Sequence, residues 1–256
     1  MNGPALPDPD RAMPALFPGR TGRGMRVAVI DSGVHPAHPH IDAARLAPGV
    51  WIDREGTRHS DEDATLDRLG HGTAVTAAIL EKAPEATCLP IRVFADKLGT
   101  TARALGEAMR WAIEAEVDLI NLSLGTPNMA HAEFFRTIVE EARDAGITVI
   151  AAHDAEGVPC LPGRLPGVLG VTLDWDCPRA RYYVPEGKPG CLAASGYPRA
   201  IPGVAPTRNL YGISFAVAQV TGFAALAAEE SRAMGAPPGD LHAFLAARLE
   251  AMPEPA

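Results

Sequence analysis

Short unbroken apolar runs alternate along this chain with longer stretches in which small and apolar residues recur at helical spacing. The runs fall at residues 26–31, 86–93, 118–122 and 147–152, each bounded by turn formers or by the end of a helical pattern. A continuous apolar run of that length suits a strand buried on both faces, as in a parallel sheet. Helical spacing predicts helices over 70–82, 101–115 and 131–145, a long apolar helix over 214–231 and an amphipathic one over 237–249. Strands alternating with helices argue for an α/β fold of three layers, a mainly parallel central sheet flanked by helices. Residues 34–69 and 174–208 hold more Pro and Gly and less periodicity, and are expected as loops with short strands. Residues 1–24 are Pro-, Gly- and Arg-rich and are expected as an N-terminal arm. Residues 25–252 are then one domain, and 253–256 a frayed end.

Composition narrows the function classes. A length of 256 residues suits one large domain, and 47% hydrophobic with 21% charged residues is ordinary for a globular chain. The net charge of −8, with no basic patch interleaved with aromatics, argues against a nucleic-acid partner. No apolar run is long enough to span a bilayer, and no N-terminal segment has the plan of a signal peptide. The expectation is a cytoplasmic protein with no membrane partner. Cys88, Cys160, Cys177 and Cys191 are widely spaced without a CxxC pair, which removes the zinc signature. Free thiols are expected; a disulfide would be sought among Cys160, Cys177 and Cys191. His35, His38 and His40 could suggest a metal site, but Pro36 and Pro39 between them favour a surface loop, and no metal is expected.

Three stretches carry candidate chemistry. The first strand ends at Asp31-Ser32-Gly33, which puts a carboxylate at the carboxyl end of a strand, where open α/β sheets keep their sites. Gly70-His71-Gly72-Thr73 opens a helix with an imidazole. Tyr211-Gly212-Ile213-Ser214 delivers a hydroxyl at a helix N-terminus, where the dipole favours developing negative charge. Taken singly, Asp31 reads as a turn residue, His71 as a helix-capping histidine and Ser214 as an N-cap. Together they supply an acid, a base and a nucleophile.

In these three motifs, in this order, the chain resembles the subtilisin-like serine proteases (subtilases) over residues 26–227. The resemblance implies a catalytic triad of Asp31, His71 and Ser214 acting on a peptide or protein substrate, with no cofactor. It also implies that Ser123, Leu124 and Gly125 bind the substrate as an added strand. Where the family inserts a calcium-binding loop after the His helix, this chain runs directly through Ala83-Pro84-Glu85, so no strong calcium site is expected there. Asp154 falls on the family's oxyanion asparagine and His153 on the preceding glycine. An ionised carboxylate accepts hydrogen bonds and cannot donate them, and losing one oxyanion donor costs about 10²–10³ in kcat. A protonated Asp154 would restore the donor; otherwise the Ser214 N–H and the helix dipole would carry the oxyanion. The expected function is hydrolysis of a peptide bond through an acyl-enzyme, in a narrow role such as processing a specific precursor peptide. Two alternatives stand beside it: a peptide-binding pseudoprotease, motivated by Asp154, and a peptide ligase or macrocyclase.

Overall fold

The computed structural model describes residues 13, 15–188, 190–205, 208–235 and 240–250. The first part of the chain gives β1 (Arg26–Asp31), β2 (Val50–Ile52), β3 (Arg58–His59), α1 (His71–Lys82) and β4 (Thr87–Arg92). Next come α2 (Ala102–Glu114), β5 (Leu119–Leu122), α3 (Ala132–Asp144) and β6 (Thr148–Ala152). A small hairpin of β7 (Asp154–Ala155) and β8 (Val158–Pro159) follows, then β9 (Val168–Leu173), β10 (Tyr182–Tyr183) and β11 (Cys191–Ala194). The last elements are α4 (Ile213–Ala233) and α5 (Leu241–Glu250).

Nine strands form one sheet in the order β10-β11-β9-β6-β5-β1-β4-β2-β3. Only the outermost pairs, β10 with β11 and β2 with β3, run antiparallel. The four apolar runs form the centre of the sheet, as expected of strands covered on both faces. Alternation along β1 sends Val27 and Val29 into the core under α1 and α4, and Ala28 and Ile30 into the core under α2 and α3. β6 divides likewise, with Ile150 and Ala152 on the first face and Val149 and Ala151 on the second. The two cores and the sheet between them make the three layers.

The helices differ because their surroundings differ. α4 is buried over residues 215–227, where its Ala, Val, Thr and Gly residues let α1 and the sheet approach closely. α2 and α3 each bury one apolar stripe and expose a charged face, which carries the Arg110–Glu141 ion pair between them. Residues 15–24, read from sequence as part of an arm, are packed: Leu16 and Phe17 are buried, and Thr21 and Gly22 N–H groups donate to Glu229 at 2.8 and 2.7 Å. Most of the arm, the first residues of the last expected helix and the C-terminal end lie outside the described residues. No described helix is long and apolar enough to cross a membrane.

Candidate active site

The site grows from the carboxyl edge of the sheet. Because Val27 and Val29 face α1 and α4, the same alternation points Asp31 at that layer, where α1 begins. Gly33 turns the chain with φ +95° and packs so tightly that an added Cβ would stand 2.2 Å from the Thr65 carbonyl oxygen. Gly72 closes the junction: its Cβ would lie 2.2 Å from the Gly33 carbonyl oxygen and 3.1 Å from Asp31 Oδ1. Only at this approach can the first residue of α1 reach Asp31. His71 Nδ1 lies 2.8 Å from Asp31 Oδ1 and 3.0 Å from Oδ2. The Asp31 side chain is 1% exposed and that of His71 13%. Asp31 Oδ1 also accepts from the Ser32 N–H at 2.7 Å. Burial pushes the His71 pKa down, but its hydrogen bond to Asp31 and the negative charges of Asp31 and Asp67 outweigh this, so the net shift is upward.

Asp67 was not legible as a functional residue. It is buried, and both its oxygens are saturated. Oδ1 accepts from Ser32 Oγ at 2.8 Å and from the Leu69 and Gly70 N–H groups at 2.9 Å. Oδ2 accepts from the Thr73 N–H at 2.9 Å and from Thr73 Oγ1 at 2.5 Å. Ser32 Oγ in turn accepts from the Gly72 N–H at 2.8 Å. Asp67 therefore ties the Asp31 turn to the first turn of α1 and holds His71 between them. An aspartate just ahead of a helix start was the one local signal for it.

Ser214 is the second residue of α4, after the Gly212 turn, and no side chain caps this helix. In its first turn the Phe215 N–H donates to the Gly212 carbonyl oxygen at 3.0 Å, and the Ile213 and Ser214 N–H groups are left without intrahelical partners. Ser214 is clamped to the end of β5 reciprocally. Its Oγ donates to the Ser123 carbonyl oxygen at 2.9 Å, and Ser123 Oγ donates to the Ser214 carbonyl oxygen at 3.2 Å. Below them Asn121 Nδ2 donates to Ser123 Oγ, and Thr221 Oγ1 donates to Asn121 Oδ1, each at 2.9 Å. This buried network registers α4 against β5. A serine hydroxyl has one proton, so Ser214 must release the Ser123 carbonyl before it can donate to an imidazole.

His71, Ser214 and Ser123, Leu124 and Gly125 line one cleft of about 740 Å³, so the structure brings these five predicted residues together. Past Gly125 the chain pairs with the segment after the hairpin, through Thr126 N to Leu161 O at 3.0 Å and Leu161 N to Thr126 O at 2.9 Å. Asp154 has other partners: its Oδ2 takes hydrogen bonds from His153 Nδ1 at 3.0 Å and Lys188 Nζ at 2.9 Å. Burial raises its pKa, but these two bonds and the ammonium charge outweigh that and the net shift is downward, toward a carboxylate. Nothing local marked Lys188, which is 34 residues away in sequence. All four cysteines are free and buried. Among the described residues, no group of three or more His, Cys, Asp or Glu is arranged to hold a metal ion.

The comparisons follow the same lines. Subtilisin E of Bacillus subtilis is 34% identical over 155 residues, which cover 56% of this chain and 38% of that protein. A thermostable alkaline protease of Halalkalibacterium halodurans is 32% identical over 231 residues, covering 81% of this chain and 58% of the other. The chain thus spans less than two thirds of the length of these relatives. Among solved structures, a cold-adapted subtilisin-like serine proteinase superposes with a TM-score of 0.67 at 20% identity, covering 88% of this chain and 82% of that one. A lanthipeptide protease gives a TM-score of 0.66 at 21% identity, covering 88% and 80%. Both share the fold. The model of the Subtilase family (Peptidase S8) matches residues 22–157, a stretch that contains the Asp31 turn, the His71 helix and the Asp67 clamp. With more than half its length in that match, the chain belongs to the subtilase family.

Proposed function

We propose that this chain is a serine endopeptidase with Ser214 as nucleophile, His71 as general base and acid, and Asp31 as the group that orients His71. The observation that carries the reading is the buried Asp31 carboxylate on His71 Nδ1, in the cleft that also holds Ser214. That bond puts a proton on Nδ1 and leaves Nε2 free to accept one. In the reaction, Ser214 Oγ gives its proton to Nε2 as it attacks the peptide carbonyl. The tetrahedral oxyanion forms at the N-terminus of α4, where the dipole and unpaired N–H groups stabilise it. His71 then protonates the departing amine, and water repeats the sequence on the acyl-enzyme. Asp154, held as a carboxylate by Lys188, is not suited to donate to that oxyanion, and the Ser214 N–H carries it in this reading.

A narrow role in processing one precursor peptide is the finer form of the proposal. One fold neighbour is named a lanthipeptide protease, after one class of peptide product, which gives that role some support. The peptide-binding pseudoprotease is the second reading, favoured by the Ser214 hydroxyl resting on Ser123 and by the ionised Asp154. A fluorophosphonate probe separates the two. Covalent labelling that disappears in Ser214→Ala supports the endopeptidase. No labelling of folded protein between about pH 5 and 9, a range spanning the ordinary histidine pKa, leaves the pseudoprotease.

A further inference from the structure

A second cavity, of about 290 Å³, shares no lining residue with the substrate cleft. It is bordered by Gly70 and Thr73, on either side of His71, and by Asn209 and Leu210, just before the Ser214 turn. Its lining holds two arginines, Arg68 and Arg199, three histidines, His35, His38 and His40, and one carboxylate, Asp67. The whole chain carries a net charge of −8, so this concentration of basic side chains is not a by-product of composition.

Among the described residues, neither arginine has a carboxylate partner. The one carboxylate in the lining, Asp67, has both oxygens saturated by the five donors that hold the α1 start. Among the described residues no hydrogen bond or ion pair engages the Arg68 side chain, and the Arg199 guanidinium donates only through Nη1, to the His40 carbonyl oxygen at 3.2 Å. His38 and His40 stand with ring centroids 5.2 Å apart. Burial, and then the charges of Arg199 and His38, press the His40 pKa down, opposed only by Glu81 of α1. Glu81 is itself engaged by Lys82 and Arg179. An anion in the cavity would relieve this repulsion.

Position gives the anion its identity. In the proposed reaction the acyl half of the substrate lies along Ser123–Gly125 and His71 protonates the departing amine. This cavity is lined by neighbours of His71 and of the Ser214 turn but by none of Ser123–Gly125, which suits it to the departing segment rather than the acyl half. We propose that the cavity seats an acidic side chain of the leaving segment, so that peptides carrying Asp or Glu just after the scissile bond are preferred. The inference rests on the endopeptidase reading. Protonation of His40 adds positive charge, so the preference strengthens as pH falls through the histidine range.

The test uses the full chain as Ser214→Ala and product-like peptides with a free amino terminus: Gly-Asp-Glu-amide, Gly-Lys-Lys-amide and Gly-Ser-Ser-amide. Histidine ring signals are followed by NMR, assigned through single His→Gln variants. The acidic peptide should shift His38 and His40, raise the His40 pKa, and bind about fivefold more weakly in Arg199→Gln, the fold-change of one lost ion pair. Equal shifts with the neutral peptide, equal shifts with acetate, or none up to about 10 mM peptide would overturn the proposal. Fluorophosphonate labelling of the wild type reports separately on the enzyme. Labelling without acidic-peptide binding overturns this inference and leaves the endopeptidase standing. Binding without labelling overturns the assignment to a leaving segment.

Discussion

Replacing Asp67 by Asn tests whether a carboxylate outside the triad sets the position and charge of His71. The substitution keeps volume and removes the charge that five donors share. The amide oxygen can keep Ser32 Oγ and the Leu69 and Gly70 N–H groups. The new NH₂ then faces the Thr73 N–H, donor against donor, while Thr73 Oγ1 can turn to accept from it. The net loss is one charge-assisted hydrogen bond and one satisfied helix N–H, each worth about 1–3 kcal/mol. Allowing for the recovered bond to Thr73 Oγ1, the expected cost is about 2–4 kcal/mol, or a fall in Tm of about 5–15 °C for a domain of this size. A second readout separates function from stability. Asp67 is one of the two carboxylates that stabilise the His71 imidazolium, so without its charge the His71 pKa falls. Labelling of Ser214 requires neutral His71 and rises with pH through that pKa, so the rising limb should move to lower pH in Asp67→Asn. The assay is a pair of measurements on each protein: a thermal melt, and the pH dependence of the fluorophosphonate labelling rate. A Tm within about 1 °C of wild type, the range of an ordinary surface substitution, together with an unmoved limb would refute the argument.

Other outcomes follow from the same geometry. Gly72→Ala puts a Cβ 2.2 Å from the Gly33 carbonyl oxygen, so it should part the α1 start from the Asp31 turn and lower Tm and labelling together; near-normal labelling would contradict this packing. Asp154→Asn should lose stability at neutral pH. The folded-state pKa of Asp154 lies below its unfolded value, so its contribution is present above the unfolded pKa and is lost as pH falls through the folded one. The Tm difference between wild type and variant should therefore shrink toward zero in acid; a constant difference from pH 7 down to about 2 would refute the ion-pair account. A thiol reagent at neutral pH should modify no cysteine rapidly in the native protein and all of them after denaturation, since all four are buried and burial pushes Cys88 up to about 12. Fast native labelling of any one would contradict the packing.

Local pattern by itself determined the α/β class, the central strands and the three motifs. A strand buried on both faces needs an unbroken apolar run, and a helix packed on a sheet needs helical spacing, so burial leaves its mark along the chain. The same alternation in β1 that buries Val27 and Val29 also aims Asp31 at α1. Glycines at 33 and 212 were readable as turns, and Gly72 as a point of close approach, because few other residues fit there. What tertiary structure alone decided is partnership. Ser123 and Ser214 clamp each other across 91 residues, and Lys188 meets Asp154 across 34. β11 joins the sheet as a parallel neighbour of β9 on a run of only four residues. Leu16 and Phe17 fill the core from a stretch whose Pro and Gly content resembles a loose arm. Asp67 gathers its donors from three points of the chain. A hydrogen bond or ion pair between distant residues imposes no periodicity on either, and a charged side chain looks the same in sequence whether it faces solvent or a buried partner.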